Sequence, residues 1–147
     1  HSDGQYAPEV MGRLIGPLER GRADIVQGSR ILGGKALEGR MPLYKFIANR
    51  VLSRLENWVC GMDLHEYHSG YMAYSKKALL TIPFLKLSNT FHFDGEMLIV
   101  GHKKGLTIRE TPIPTFYGEE KSNLKSIKYG LDVLKILLDY KLGKYDF

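Results

Sequence analysis

A chain of 147 residues, 44% apolar and 25% charged, has enough material for one domain with its own core, which excludes wholesale disorder. Its net charge of +5 permits attraction to phosphates or anionic lipids, but no run of about five basic residues marks a nucleic-acid arm, and nucleic acid is not an expected partner. The single cysteine, Cys60, excludes an intrachain disulfide scaffold, and no stretch approaches the roughly 18 apolar residues that span a bilayer.

Residues 1–8 read as a loop, with Asp3-Gly4 as turn chemistry and Pro8 suited to a helix start. The four-residue spacing of Val10, Leu14 and Leu18 predicts a helix over 8–21, stopped at Gly21. Residues 23–28, with the β-branched pair Ile25-Val26, read as a short strand. A glycine-rich loop over 31–41 leads to Pro42 and a helix over 43–60, whose apolar stripe is Phe46, Ile47, Val51, Leu52, Leu55 and Val59. Cys60 closes that helix in the apolar run Trp58-Val59-Cys60 and reads as a small buried hydrophobe.

A polar loop over 61–68 precedes strand-like alternation over 69–75, and a short helix over 76–82 ends at Pro83. Asp94 is the expected cap of a helix over 94–104, stopped at Gly105. A strand over 107–111 runs into the stiff Pro112-Ile113-Pro114. The last element is an amphipathic helix over 123–142, with Leu124, Ile127, Leu131, Leu134 and Leu138 in three-and-four steps. That stripe reads as a core face; with Lys125, Lys128, Lys135, Lys141 and Lys144 beside it, it also suits a membrane surface. Alternating strands and helices predict an α/β class. A doubly wound nucleotide-binding domain opens with a strand and a Gly-rich turn, and neither is present, so an amino-terminal half is expected to be missing.

Four segments hold side chains fit for chemistry. Asp3 and Gln5, two apart on a turn, offer oxygens to a hard cation such as Mg²⁺ or Mn²⁺; the same residues also suit a plain turn before the first helix. Arg30, at a strand end, can fork a phosphate or simply be solvated. In Glu66-Tyr67-His68-Ser69-Gly70-Tyr71, Glu66 has the chemistry of a general base and His68 that of its proton partner. Zinc held by His65, Glu66 and His68 is a weaker reading, because the spacing matches no familiar ligand pattern. Phe91-His92-Phe93-Asp94-Gly95-Glu96 reads as a staple and cap, with Asp94 otherwise at a site edge.

Taken in order, Asp3-Gly4-Gln5, residues 23–30 (ADIVQGSR), Asn49-Arg50, Ser69-Gly70-Tyr71 and Ala73-Tyr74-Ser75 resemble the second half of family-2 glycosyltransferases, in particular the dolichyl- and polyprenyl-phosphate sugar synthases. Met41-Pro42-Leu43-Tyr44-Lys45 and Phe93-Asp94 strengthen the likeness, which runs from residue 1 to about 117. The resemblance implies a partial GT-A-type, Rossmann-like α/β fold: residues 1–147 are the metal- and acceptor-side half, with 123–147 a terminal amphipathic helix. It implies Asp3 and Gln5 as ligands of Mg²⁺ or Mn²⁺, and Glu66 and His68 as catalytic groups. Arg30, Gln5, Ser69 and Asp94 would then contact substrate. His1 stands at the first acid position of the metal motif, Glu66 at a usual Asp, and Met72 at a usual Arg; Lys121-Ser122-Asn123 only loosely fits the usual Ser-rich segment.

The implied reaction moves a sugar, with inversion, from a nucleotide-diphosphate donor to a lipid phosphate or glycan, in cell-wall or polysaccharide synthesis at the cytoplasmic face of a membrane. The isolated half is expected to be inactive and prone to self-association. Two rivals stand beside it: a non-catalytic binding or regulatory domain that kept the fold, and a membrane-surface or dimerisation module built on the last helix.

Overall fold

The computed structural model describes residues 8–34, 36–39, 41–114 and 126–147. A 3-10 turn at Pro8–Val10 runs into α1 (Met11–Glu19), and Gly21, at φ +63°, takes the left-handed conformation that turns the chain toward β1 (Ile25–Ser29). α2 spans Leu43–Cys60, as predicted, between Pro42 and the left-handed Gly61. Then follow β2 (Met72–Tyr74), α3 (Lys76–Thr81), a 3-10 turn at Phe84–Lys86, α4 (Phe93–Lys103), β3 (Ile108–Pro112) and α5 (Ser126–Lys141).

The three strands form one mixed sheet in the order β2-β1-β3, with β1 antiparallel to β2 and parallel to β3. Val26 pairs with Ala73 on one side and Arg109 on the other. The α/β expectation therefore holds: a short mixed sheet with flanking helices. As the central strand, β1 is buried at every residue, so its polar Gln27 and Ser29 lie inside the protein.

α4 is the internal helix: Glu96 through Gly101 are all buried. It crosses β1 closely at Gly101, where an added Cβ would lie 2.6 Å from Ile25 Cδ1. The main core gathers Ile25, Met97, Leu98, Val100 and Leu106 with Val133 and Leu137 of α5. Asp94 does not cap α4. The helix starts one residue earlier, at Phe93, with His92 in the cap position and no side-chain cap, so Asp94 falls in the first turn near the positive helix end. The real side-chain cap is Ser75, whose Oγ accepts from Ala78 N at 3.0 Å to start α3.

On α2 the buried line is Asn49, Ser53, Glu56 and Cys60; of the apolar stripe, Leu52, Leu55 and Val59 are partly buried against the main core, and Ile47 and Val51 are exposed. The apolar stripe of the last helix faces the opposite way to its reading as core. On α5 the core side is Val133 and Leu137; Ile127, Leu131, Leu134 and Leu138 are 45–83% exposed. The two helices pack together, with Lys141 Nζ 4.9 Å from the centre of the Trp58 ring. Leu124 and Lys125 lie outside the described residues.

Candidate functional site

The site begins where β1 ends. Strand geometry buries Gln27 and Ser29 and delivers Arg30 just past the carboxyl end of the sheet. Gly28 makes this possible: a Cβ there would lie 2.9 Å from Ile113 and 3.1 Å from Tyr71, so only glycine lets the neighbouring segments close over the strand.

Glu66 reaches Arg30 from the loop between α2 and β2 and is fully buried. Its Oε1 accepts from Arg30 Nε at 2.8 Å and from a second guanidinium nitrogen, while Oε2 accepts from the Arg30 backbone N–H at 2.8 Å. Asn49, from the polar line of α2, adds a fourth donor to the carboxylate, bonding Oε1 at 2.8 Å. The Arg30 guanidinium also donates to the carbonyl of His68 at 2.7 Å. Gln27 donates to the Glu66 carbonyl, and Glu110 of β3 accepts from the backbone N–H groups of His65 (2.7 Å) and Glu66 (3.2 Å). One loop is thus held by three elements. Both Glu66 oxygens are engaged, which makes this carboxylate a fixed counter-ion and organiser.

His68 links the site to α5. Its Nδ1 is hydrogen-bonded to the Tyr129 hydroxyl at 2.8 Å, and its Nε2 lies 3.1 Å from Glu56 Oε2. Neither of these two buried atoms has a hydrogen-bond partner, so the Glu56 contact is a close approach and not a hydrogen bond. Tyr129 also stacks on His92, with ring centres 4.2 Å apart. Burial pushes the Tyr129 hydroxyl well above the usual phenol range; Glu56, Asp94 and Glu66 push the same way, and only Arg30 opposes them. Burial lowers the His92 pKa, against the pull of Asp132, whose Oδ2 lies 3.6 Å from Nε2.

The structure brings Arg30, Glu66 and His68 together. Ser69 is buried beside them, its Oγ accepting from Tyr71 N at 3.3 Å. Asp94 stands apart on α4, within 3.4 Å of the Tyr74 hydroxyl, and burial raises its pKa. Asp3 and Gln5, the metal ligands implied by resemblance, lie outside the described residues. Among the described residues no group of three or more His, Cys, Asp or Glu side chains is placed to hold a metal ion. His65 is instead bonded through Nδ1 to Glu110 at 2.9 Å, and Glu66 to Arg30, so the zinc reading has no cluster behind it. The Cys60 thiol is buried and its pKa is pushed up to about 12 by burial, then by Glu56, which fits an inert core residue.

Glu56, Gln27, Glu110 and Tyr129 were not singled out from sequence. Only Glu56 had a readable signal: Asn49, Ser53, Glu56 and Cys60 fall at steps of four, three and four, a polar line on a helix.

No family model matches the chain. Among curated proteins it is 32% identical, over 97% of its length, to a UDP-N-acetylglucosamine–dolichyl-phosphate N-acetylglucosaminyltransferase of Methanococcus voltae. It is 31% identical, over 93% of its length, to a low-salt glycan biosynthesis hexosyltransferase of Haloferax volcanii. It is 26% identical, over 76% of its length, to a polyprenol monophosphomannose synthase of Mycolicibacterium smegmatis. The chain spans 57%, 33% and 42% of those three proteins. By homology over nearly its whole length, the chain is a glycosyltransferase relative, resembling the sugar transferases named for dolichyl and polyprenyl phosphate.

Proposed function

We propose that the chain is the acceptor-side part of a family-2, GT-A-type glycosyltransferase that moves a sugar from a nucleotide-diphosphate donor to a lipid phosphate or glycan with inversion. The observation that carries this reading is the Arg30–Glu66–Asn49 network at the carboxyl end of β1. It fixes a guanidinium where ligands of α/β sheets collect, in a chain whose relatives include transferases named for lipid phosphates.

In this mechanism the acceptor oxygen attacks the anomeric carbon as the bond to the nucleotide diphosphate breaks on the opposite face. Arg30 stabilises phosphate charge on the acceptor or donor. Glu66 holds Arg30 in place through two guanidinium hydrogen bonds and one from the Arg30 backbone N–H, and its own engagement suits an acceptor that arrives ionised and needs no base. His68, held by Tyr129, shapes the same wall, with Ser69 next to it and Asp94 at the edge. A divalent cation bound by Asp3 and Gln5 would neutralise the departing diphosphate. Their placement beside Arg30 is part of the proposal.

No described helix is long and apolar enough to cross a membrane. The exposed stripe of α5, with Lys128, Lys135, Lys141 and Lys144, supports peripheral attachment at a cytoplasmic membrane face. The same stripe suits self-association, and it is the specific observation behind the second reading, a membrane-surface or dimerisation module. Residues 1–147 are proposed to act only with the rest of the protein, in cell-wall or polysaccharide synthesis.

Calorimetric titration of nucleoside diphosphates into the full-length protein, with and without Mn²⁺, tests the metal and donor assignment. Metal-dependent binding that Asp3→Ala abolishes is the expected result. A folded full-length protein that binds no nucleotide under either condition would sink the catalytic reading and favour a binding domain.

A further inference from the structure

On the flank of α2, a cleft of about 180 Å³ opens against the 63–65 loop, and Arg30 is not among the residues that line it. Its wall carries Arg50 and Arg54, one helical turn apart, with Ser53, Asn57, Asp63 and His65. Some other cations are committed: Arg30 to Glu66, Lys77 to Asp24, Lys103 to Asp146 and Lys144 to Asp139. Arg50 and Arg54 have no hydrogen bond or ion pair among the described residues.

The rest of the cleft is braced rather than loose. The Asn57 amide donates to the Leu64 carbonyl at 2.8 Å and accepts from Leu64 N–H at 2.9 Å, locking the loop onto the helix. His65 gives Nδ1 to Glu110, which leaves Nε2 without a partner among the described residues. Two fixed-charge guanidinium forks thus share the cleft wall with one carboxylate, that of exposed Asp63, so the cleft favours an anion.

The surroundings narrow the anion's type. Residues 47, 51, 54 and 58 follow four-, three- and four-residue steps, which sets Arg54 in line with exposed Ile47, Val51 and Trp58. A guanidinium within an apolar ridge suits a phosphate group that carries hydrophobic bulk.

We infer that the Arg50–Arg54 cleft is a second phosphate-binding site, separate from Arg30. Its ligand is a phosphate mono- or diester, supplied either by a lipid headgroup or by a soluble diphosphate. The inference does not depend on the transfer reaction, because neither arginine takes part in the Arg30 network.

The test uses the full-length protein and two probes: calorimetric titration with inorganic pyrophosphate, and sedimentation with phosphatidylcholine vesicles with or without phosphatidic acid. The Arg50→Gln/Arg54→Gln double variant is expected to lose about tenfold or more in affinity for at least one probe. The charge-matched Lys76→Gln/Arg22→Gln control, at exposed positions outside both sites and off the α5 stripe, should stay within about twofold. Loss confined to phosphatidic-acid vesicles identifies a lipid headgroup, and loss confined to pyrophosphate identifies a soluble ligand. Equal binding by the double variant, or equal loss in the control, overturns the site. Circular dichroism checks that both variants keep the fold, as their exposed or half-exposed positions predict.

Discussion

Tyr129, on the last helix, is hydrogen-bonded at 2.8 Å to Nδ1 of His68, two residues beyond the carboxylate that pairs with Arg30. The helix whose apolar stripe faces outward is therefore tied by its inner face to the site wall. Anything that moves α5 acts on His68, and through the His68 carbonyl on Arg30.

Removing that hydroxyl should be a local event. Tyr129→Phe keeps the stacking on His92 and loses one buried hydrogen bond, at a cost of about 1 kcal/mol in urea unfolding. The histidine ring resonances of His68 should shift in the variant while those of exposed His102 stay put. Unchanged His68 signals would show that the contact does not persist in solution.

Breaking the central ion pair should cost more. Glu66→Gln leaves the guanidinium of Arg30 facing a neutral amide in a buried setting, which predicts a loss of about 3 kcal/mol. In a double-mutant cycle with Arg30→Gln the two costs should be clearly less than additive. Additive losses would mean that the pair contributes no coupling.

Stability should fall on the acid side because of His92. Its pKa is lowered in the fold, first by burial and against the pull of Asp132, from an ordinary value of 6.5. As pH drops below 6.5 the unfolded chain takes up a proton that the folded chain resists, so stability present above that value is lost toward the depressed folded pKa. Glu96, His68, Tyr129 and Asp132 surround the ring and stay unchanged in His92→Gln, which should flatten the slope between pH 7 and the depressed value. An identical slope in the variant would assign the effect to another group.

Much of the fold was legible because punctuation is local. Pro42 and Gly61 bracket α2 whatever surrounds it, and Arg30 and Glu66 announce themselves as a cation at a strand end and an acid in a loop. The direction in which a stripe faces is a tertiary fact. α5 has apolar residues on two sides, and the buried side is chosen by Tyr129, Val133 and Leu137 fitting against His92 and Cys60, which no periodicity reveals. Likewise, Glu56 is buried on a helix that looked like an ordinary amphipath, because a histidine 12 residues away closes over it. Arg30 was expected to face phosphate, and the sequence held no sign that Glu66 would bind it first; the pairing spans 36 residues.

The most direct test of glycosyl transfer is an assay of labelled sugar passing from a nucleotide-sugar panel to polyprenyl phosphate, using the full-length protein and its Arg30→Lys variant. Transfer by the wild type, lost by about a hundredfold in a variant that keeps the positive charge but not the planar fork, is the predicted result. Transfer that Arg30→Lys leaves intact, or none at all from a folded protein across the panel, would contradict it.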